Sequence, residues 1–156
     1  VMQYIDYFFH YPSEVEAQMD ALVKRNILTK EERDCVMTKD IVRCLSSDIM
    51  QIAREAEKQN KCHREQSFMM YKKANEVSDD FTSDDRVLVQ GVIDLFIDGE
   101  KKIIVDFKTS SLSDEKTVEK YKKQLYLYKS AIESATRAKV DQVLLYSFAT
   151  GKTLIL

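Results

Sequence analysis

The N-terminal part of the chain carries capping signals that mark the starts of short helices. The spacings Ser13-x-x-Glu16 and Thr29-x-x-Glu32 both match the capping box, in which side chains satisfy free backbone N–H groups at a helix start. Before them, Val1–Phe9 is apolar and aromatic without a capping residue, which predicts a helix whose start lies upstream. The pattern therefore predicts two short helices after a helical first segment.

A longer helix is predicted from about Lys39 to Glu57, because apolar residues recur there at spacings of three and four. The residues of this stripe are Ile41, Leu45, Ile49, Ile52 and Ala56. We expect the stripe to face the core. Residues 1–60 are thus predicted to form a helical segment.

The pattern changes to strands after residue 60. Cys62–Tyr71 is strand-like, and Ser78–Asp85 is a polar, acidic loop without an apolar period. Two stronger strands, Arg86–Ile97 and Lys102–Lys108, flank the turn-forming Asp98-Gly99 and predict an antiparallel hairpin. The remaining predicted elements are a helix from about Asp114 to Ala135 and strands at Val140–Phe148 and Thr153–Leu156. This mixture predicts an α/β or α+β domain.

Alternation along the hairpin predicts which side chains share a face. The apolar odd positions are Val87, Val89, Ile93, Leu95, Ile97, Ile103, Val105 and Phe107. A three-residue loop, Asp98-Gly99-Glu100, places odd residues opposite odd ones and pairs Ile97 with Lys101, so that these residues form one buried face. The opposite face then carries Asp94, Asp106 and Lys108.

Two acids and a lysine on one face of a central hairpin indicate either a solvated surface or a reactive site. Charged side chains there cost several kcal/mol if they are buried without partners. Carboxylates supply the oxygen ligands that Mg²⁺ takes, and phosphodiester hydrolysis uses such an ion to polarise the phosphate and activate water. The lysine can hold the attacking water or stabilise charge on the phosphate. The pattern is therefore compatible with a metal-dependent phosphodiesterase.

Composition and charge narrow the class of protein. The chain has 156 residues, of which 44% are apolar, which is enough for the core of a single domain spanning residues 1–156. We expect no membrane or export route, because no apolar run approaches about 18 residues and the start lacks signal-peptide features. Three cysteines at irregular spacing fit no disulfide framework, which favours the cytoplasm.

Charge is distributed unevenly along the chain. The net charge is -2, but residues 101–139 hold ten basic and five acidic residues, a local +5, whereas the first 100 hold 13 basic and 20 acidic, or -7. An electropositive C-terminal part suits an anionic partner such as nucleic acid, although lysine-rich helix faces are also simply solvated.

Four short elements occur in order between residues 64 and 128. They are Arg64-Glu65-Gln66-Ser67-Phe68, Gly91-Val-Ile-Asp94, Asp106-Phe-Lys108-Thr109 and Gln124-x-x-x-Tyr128. They resemble the RExPF, GxxD, DYKT and QxxxY elements of the PD-(D/E)XK nuclease superfamily, in its RecB-like branch. Ser67 stands where proline is usual. The resemblance implies a restriction-endonuclease-like α/β core in residues 61–156, with a mixed central sheet flanked by helices.

The resemblance also implies roles for individual residues. Asp94 and Asp106 are expected to bind Mg²⁺, or Mn²⁺ in its place, with the backbone carbonyl of Phe107 as a third ligand. Lys108 is expected to be catalytic, and Glu65 to support the site or bind the metal. The helix after the hairpin is expected to place Gln124 and Tyr128 near the scissile bond or the DNA backbone, where the residue-based alternative is core packing. Lysines suited to phosphate contacts on a neighbouring face of that helix are Lys116, Lys120 and Lys123.

Members of the family also carry a metal-binding histidine upstream, in a GTxxH element just before the VMQ-like stretch. The sequence begins after that position, and neither His10 nor His63 matches the motif. We therefore expect the chain to be a piece of a larger protein, and to bind metal more weakly than a form that includes this histidine.

The start VMQYIDYF and the helical insert that follows are most similar to the nuclease domain of AddA-type (RexA) helicase–nuclease subunits. This implies a Mg²⁺-dependent DNA exonuclease domain of an ATP-dependent enzyme that processes double-strand DNA ends for recombinational repair. Its partners would be DNA, upstream helicase domains and an AddB- or RexB-type subunit. One alternative is a non-catalytic DNA-binding or subunit-docking module, and another is an unrelated α/β domain. The intact acids and lysine favour the nuclease.

Overall fold

The computed structural model describes residues 1–78 and 80–156. Its helices are α1 (Pro12–Lys24), α2 (Lys30–Cys35), α3 (Thr38–Leu45), α4 (Asp48–Lys58), α5 (Ala74–Val77) and α6 (Glu115–Thr136). Its strands are β1 (Cys62–Lys73), β2 (Arg86–Asp98), β3 (Lys102–Lys108), β4 (Gln142–Ser147) and β5 (Lys152–Ile155). The predicted α/β class is confirmed, with element ends mostly within two residues of the predicted ones.

Of the two predicted capping boxes, the one at Thr29 is present and the one at Ser13 is not. At α2 the prediction is confirmed: Glu32 N–H donates to Thr29 Oγ1 at 3.1 Å, and Thr29 N–H donates to the Glu32 carboxylate at 2.8 Å. At α1 it is wrong, because the helix begins at Pro12, two positions before the start that the predicted box implies. Proline suits a first helical position, since its φ is already helical and it lacks an N–H. The Glu14 carboxylate accepts the Tyr11 N–H at 2.9 Å instead.

The single helix predicted over residues 39–57 is wrong, because α3 and α4 are separate helices that meet at a serine pair. The Ser47 hydroxyl donates to the Cys44 carbonyl at 2.6 Å, and Arg54 Nη1 donates to the Leu45 carbonyl at 2.6 Å. Side chains thus satisfy carbonyls that a continuing helix would otherwise use. Both helices still bury the predicted apolar stripe, apart from Ile52, which is exposed.

The N-terminal segment, Val1–Phe9, is also not the predicted helix. It forms turns, with the N–H groups of Tyr4 and Ile5 both donating to the Val1 carbonyl. Ile5 and Tyr7 are fully buried in the same apolar cluster as α1, α3 and α4. Packing of alternate apolar side chains therefore holds this segment without regular helix.

The five strands form one mixed sheet in the order β1-β2-β3-β4-β5. Among the strands of the described residues, only β3 and β4 pair in parallel, and α6 connects them as a crossover helix. One apolar cluster joins α6 to one face of the sheet, and a second joins the N-terminal segment and α1, α3 and α4 to the other face. The centre of the sheet is therefore buried between two helical layers, whereas β5 and the paired ends of β1 and β2 are exposed or half-buried.

The predicted hairpin register is shifted by two residues. Ile97 pairs with Ile103 rather than with Lys101, and Asp98 pairs with Lys102. The pair at the turn is an ion pair, with 2.6 Å between Lys102 Nζ and Asp98 Oδ1, and it keeps Asp98 in the strand instead of the loop. A shift of two preserves the alternation of side chains, so the predicted grouping by odd positions survives in most of the hairpin.

The single buried face predicted for the odd residues is wrong at one end of β2. Leu95 and Ile97 pack against the N-terminal helices, whereas Ile93 packs with Phe96 on the α6 side. Alternation is thus interrupted at Asp94, between Ile93 and Leu95.

The predicted acidic loop is confirmed for Ser78 and residues 80–85, which lie outside strands and helices, while Asp79 lies outside the described residues. The short helix α5 before this loop was not predicted. The three cysteines are free thiols. No helix in the described ranges is long and apolar enough to cross a membrane.

Candidate active site

The hairpin strands β2 and β3 separate at two aspartates. Their backbone pairing ends at Leu95 and Val105, and the next residue on each strand is Asp94 or Asp106. Beyond that point β2 continues beside β1, while β3 continues beside β4. We call this divergence, marked by Asp94 and Asp106, the fork. It leaves backbone groups outside the β2–β3 ladder and available to side chains or ligands.

Asp94 accepts a hydrogen bond from one of these backbone groups. Its Oδ2 accepts the Phe107 N–H at 2.8 Å, across the gap between the strands. The bond fixes the carboxylate of a half-buried residue beside the strand that carries Asp106. Asp94, Phe107, Glu65 and Thr109 line one cavity of about 480 Å³, which we call the site cavity.

Asp106 is 2% exposed, and burial raises the pKa of its carboxyl group above the usual value. The Lys108 ammonium opposes this rise in pKa, whereas the negative charge of Asp94 adds to it. Lys108 Nζ lies 2.6 Å from Asp106 Oδ2, and this charge-assisted hydrogen bond is the contact by which Lys108 lowers the pKa of Asp106. One ammonium does not use all the acceptor sites of a carboxylate, so Asp106 can also bind a cation.

Lys108 is held between β3 and α6. Its side chain is 19% exposed, and its ammonium lies 4.5 Å from the centroid of the Tyr121 ring, in a cation–π contact. As predicted, Asp106 and Lys108 share a face of β3, but the site cavity that Asp94 lines is lined by neither of them. The ammonium is therefore fixed beside the fork.

Glu65 lies opposite Asp94 in the β1–β2 register, since Arg64 pairs with Leu95 and Gln66 with Ile93. Its φ is +50°, an unusual value for a non-glycine residue in a strand. Backbone conformations of this kind cost about 1–3 kcal/mol and concentrate at functional sites. The structure thus brings Glu65 and Asp94 into the same cavity.

Gln124 and Tyr128 lie one turn apart on α6, and Gln124 Nε2 donates to Tyr128 Oη at 2.5 Å. Burial raises the pKa of Tyr128, and the negative charges of Asp106 and Asp94 add to this rise. The Tyr128 ring also contacts the Phe68 ring edge-on, with centroids 5.3 Å apart. Tyr128 therefore packs in the core through its ring, while its hydroxyl lies close enough to Asp106 and Asp94 for their charges to affect its pKa.

Gly91 allows this packing. A Cβ at position 91 would lie 2.8 Å from Phe68 Cε1 and 3.4 Å from Tyr128 Cε1. The first distance is below normal carbon–carbon contact, so the Phe68 ring approaches the strand this closely because residue 91 lacks a side chain.

The oxygen donors at the fork suit a hard divalent cation such as Mg²⁺. Among residues 1–78 and 80–156, no group of three His, Cys, Asp or Glu side chains is arranged to hold a metal. Two carboxylates, the Phe107 carbonyl and water can still complete a magnesium shell, since Mg²⁺ retains several waters. The buried Asp106 carboxylate, which has acceptor sites left beyond its pair with Lys108, also fits a cation.

The other sequence candidates lie away from the fork or on the surface. His63 stacks on Phe96 with ring centroids 5.8 Å apart, and the His10 ring lies 3.3 Å from the Phe8 carbonyl oxygen. Neither histidine lines the site cavity. The lysines Lys116, Lys120 and Lys123 are exposed on α6.

Sequence reasoning missed one wall of the site cavity. Val1, Met2 and Gln3 line it, together with residues of the α2–α3 connection such as Met37. The family resemblance includes Val1–Gln3 but assigns these residues no role at the site. Their proximity to the fork depends on how the irregular N-terminal segment packs, which periodicity does not report.

Comparison with known proteins identifies the family of the chain. The PD-(D/E)XK nuclease superfamily model matches residues 5–154, and the chain belongs to this superfamily. Nucleases of this superfamily generally use divalent metal ions. The predicted family and the predicted restriction-endonuclease-like core are thereby confirmed.

The curated relatives are named as subunits of an ATP-dependent helicase/nuclease. The protein from Clostridium acetobutylicum is 33% identical over 147 residues, which cover 90% of this chain and 12% of that relative. The protein from Syntrophomonas wolfei is 33% identical over 159 residues, covering 99% of this chain and 13% of that relative. The chain thus spans about an eighth of their length. A solved structure titled "Crystal structure of SSO0001" aligns with 94% of this chain and 64% of its own at 12% identity, with a TM-score of 0.41.

Proposed function

We propose that this chain is the Mg²⁺-dependent DNA exonuclease domain of an ATP-dependent helicase–nuclease that processes double-strand DNA ends for recombinational repair. The observation that carries the proposal is the fork, where Asp94 and a buried, ion-paired Asp106 meet at the separation of two strands. A module that only binds DNA has no need of a buried carboxylate with unused bonding capacity. Membership in the nuclease superfamily supports the same reaction class.

In this proposal Asp94, Asp106 and the Phe107 carbonyl hold the metal ion. When bound, a divalent ion polarises the scissile phosphate and lowers the pKa of a coordinated water. Asp94 is oriented by the Phe107 N–H, at 2.8 Å. Burial raises the pKa of Asp106, so positive charge nearby stabilises its carboxylate form; Lys108 supplies one such charge, and a metal ion would add a second.

Lys108 supplies fixed positive charge beside the reacting phosphate. Its ammonium is held between the Asp106 carboxylate and the Tyr121 ring, so little reorganisation is needed during the reaction. Positive charge already in place is worth most when negative charge grows on the phosphate oxygens in the transition state. We therefore assign Lys108 a catalytic role.

Gln124 and Tyr128 provide hydrogen-bonding groups on the α6 side of the fork, suited to the DNA backbone or the scissile phosphate. Glu65 lines the cavity opposite Asp94 and supports the metal or its water. Exposed lysines on α6 suit contacts with neighbouring phosphates.

The names of the relatives motivate the proposed partners. Proteins named as ATP-dependent helicase/nuclease subunits match this chain over about an eighth of their length. We therefore propose that helicase domains precede this domain in the complete protein, that it works with an AddB- or RexB-type subunit on DNA, and that it acts in the cytoplasm.

End-labelled linear DNA and a closed circular single strand of the same sequence test the function. We expect loss of the end label in Mg²⁺ or Mn²⁺, no cleavage in EDTA, and an intact circle. Cleavage in EDTA would contradict metal dependence, and equal cleavage of the circle would contradict an exonuclease. DNA binding without cleavage in either metal would favour the non-catalytic module.

A further inference from the structure

Arg64 connects β1 to two other parts of the molecule, the N-terminal segment and α4. Its Nη1 donates to the Ile5 carbonyl at 2.5 Å and lies 3.4 Å from the Gln3 carbonyl oxygen, while Nη2 forms an ion pair with Glu57 of α4. The guanidinium carbon Cζ lies over the Tyr7 ring, 3.6 Å from the ring centroid. One side chain thus binds the N-terminal segment through two backbone carbonyls and a ring.

These contacts hold a wall of the site cavity. Val1, Met2 and Gln3 line that cavity beside Glu65 and Asp94. The N-terminal segment is irregular and has few backbone hydrogen bonds of its own. An anchor from β1 therefore determines how closely this wall approaches the fork.

Arg64 also directly precedes Glu65, the strand residue with a positive φ. In a regular strand, neighbouring side chains point to opposite faces. Arg64 contacts the N-terminal segment, and Glu65 lines the cavity that this segment bounds, so the two lie on the same side of β1. The positive φ of Glu65 accompanies this departure from alternation. A conformation that is intrinsically unfavourable persists only where its surroundings hold it.

We propose that Arg64 is a positioning residue for the active site: it fixes the N-terminal segment and the backbone of Glu65, and thereby the side of the cavity that faces Asp94. The inference rests on the proposed nuclease function. A planar guanidinium can satisfy the carbonyls, Glu57 and the Tyr7 ring at once, whereas the single ammonium of lysine cannot.

Arg54 offers a matched control. It also donates to a carbonyl of the N-terminal segment, that of Tyr7 at 3.4 Å, and to the Leu45 carbonyl at 2.6 Å. It lies on α4 and does not line the site cavity. Arg54→Lys therefore measures how much stability and activity are lost when the N-terminal segment is held less tightly at a position distant from Glu65.

The test measures cleavage, Mn²⁺ affinity by calorimetry, melting temperature and hydrogen exchange of residues 1–9 in the Arg64→Lys, Arg64→Gln and Arg54→Lys variants. We expect both Arg64 variants to lower kcat and Mn²⁺ affinity by about tenfold or more, the usual range for residues that orient metal ligands, with KM little changed. Exchange near Gln3 and Ile5 should increase. Arg54→Lys should leave kcat and Mn²⁺ affinity near the unsubstituted values, even with a similar loss of melting temperature.

Equal effects of Arg64→Lys and Arg54→Lys on kcat and on Mn²⁺ affinity would overturn the positioning role and leave a purely structural one. An unsubstituted chain that binds Mn²⁺ but does not cleave DNA would contradict the proposed function alone, and Mn²⁺ affinity would then decide the role of Arg64. An unsubstituted chain that does not bind Mn²⁺ would overturn both.

Discussion

Lys108 Nζ lies 2.6 Å from Asp106 Oδ2, two residues away on β3, at a site where the aspartate is 2% exposed. The same ammonium contacts the Tyr121 ring on α6. A lysine held on two sides has little conformational freedom left to lose when substrate binds. This arrangement suits a group that acts on the reacting phosphate rather than one that only attracts DNA.

Lys108→Ala is expected to reduce single-turnover cleavage on the order of 10²-fold or more, because it removes charge that stabilises the transition state. DNA affinity should change little. Lys102→Ala is the matched control, since Lys102 forms an ion pair of the same length with Asp98 at the other end of β3. Weaker DNA binding with an unchanged cleavage rate would instead identify Lys108 as a phosphate anchor.

Burial of Asp106 predicts a pH-dependent stability in the absence of metal. Because its pKa is raised in the folded state, the folded protein retains a proton that the unfolded chain releases, and stability falls as pH rises through this interval. Asp106→Asn mimics the neutral form. In EDTA it should melt at a higher temperature than the unsubstituted protein at neutral pH, with the difference vanishing below the usual aspartate pKa of about 4.

Thermal unfolding across pH checks this expectation, and a lower melting temperature of Asp106→Asn at neutral pH would contradict it. Added Mn²⁺ should raise the melting temperature of the unsubstituted protein more than that of the variant, because a ligand stabilises only the state that binds it.

Gly91→Ala should destabilise the protein by about 1–3 kcal/mol, the usual cost of overpacking, since the new methyl group would meet Phe68 at 2.8 Å. Gly99→Ala is the control, because its nearest contact would be an ordinary 3.7 Å. Denaturant unfolding measures both. Phe68→Leu should partly restore the stability of Gly91→Ala, and equal effects at the two glycines would contradict the packing explanation.

Tyr128→Phe removes the hydroxyl that accepts from Gln124 while keeping the ring that packs on Phe68. We expect slower cleavage with a nearly unchanged melting temperature. Tyr126→Phe, at a 61% exposed position on the same helix, should change neither. A loss of stability without a change in cleavage rate would show that Tyr128 serves packing alone.

Much of the site could be predicted because it depends on alternation and on short motifs. Asp106 and Lys108 share a face wherever β3 pairs, so even a register error of two residues left them together. The register itself depends on a turn held by the Asp98–Lys102 ion pair, and hydrophobic pattern alone does not distinguish two registers of the same parity.

Other features required tertiary information. The break between α3 and α4 arises where Ser47 and Arg54 satisfy carbonyls at the end of α3, although the apolar stripe continues through it. Ile93 faces α6 because alternation is interrupted at Asp94. The wall formed by the N-terminal segment depends on contacts from Arg64, some 60 positions away along the chain. Local periodicity in the sequence does not report the helix break, the side of the sheet on which Ile93 lies or the position of the N-terminal wall.

Metal-dependent cleavage at the fork is tested most directly by the single-turnover rate of Asp106→Asn beside that of Asp98→Asn. Both substitutions remove a carboxylate that pairs with a lysine at 2.6 Å, but only Asp106 lies at the fork. We expect Asp106→Asn to slow cleavage of linear DNA in Mg²⁺ by about 10³-fold or more, as loss of metal catalysis removes several kcal/mol of transition-state stabilisation, and Asp98→Asn to retain nearly full activity. An undiminished rate for Asp106→Asn would contradict the assignment of the fork as the active site.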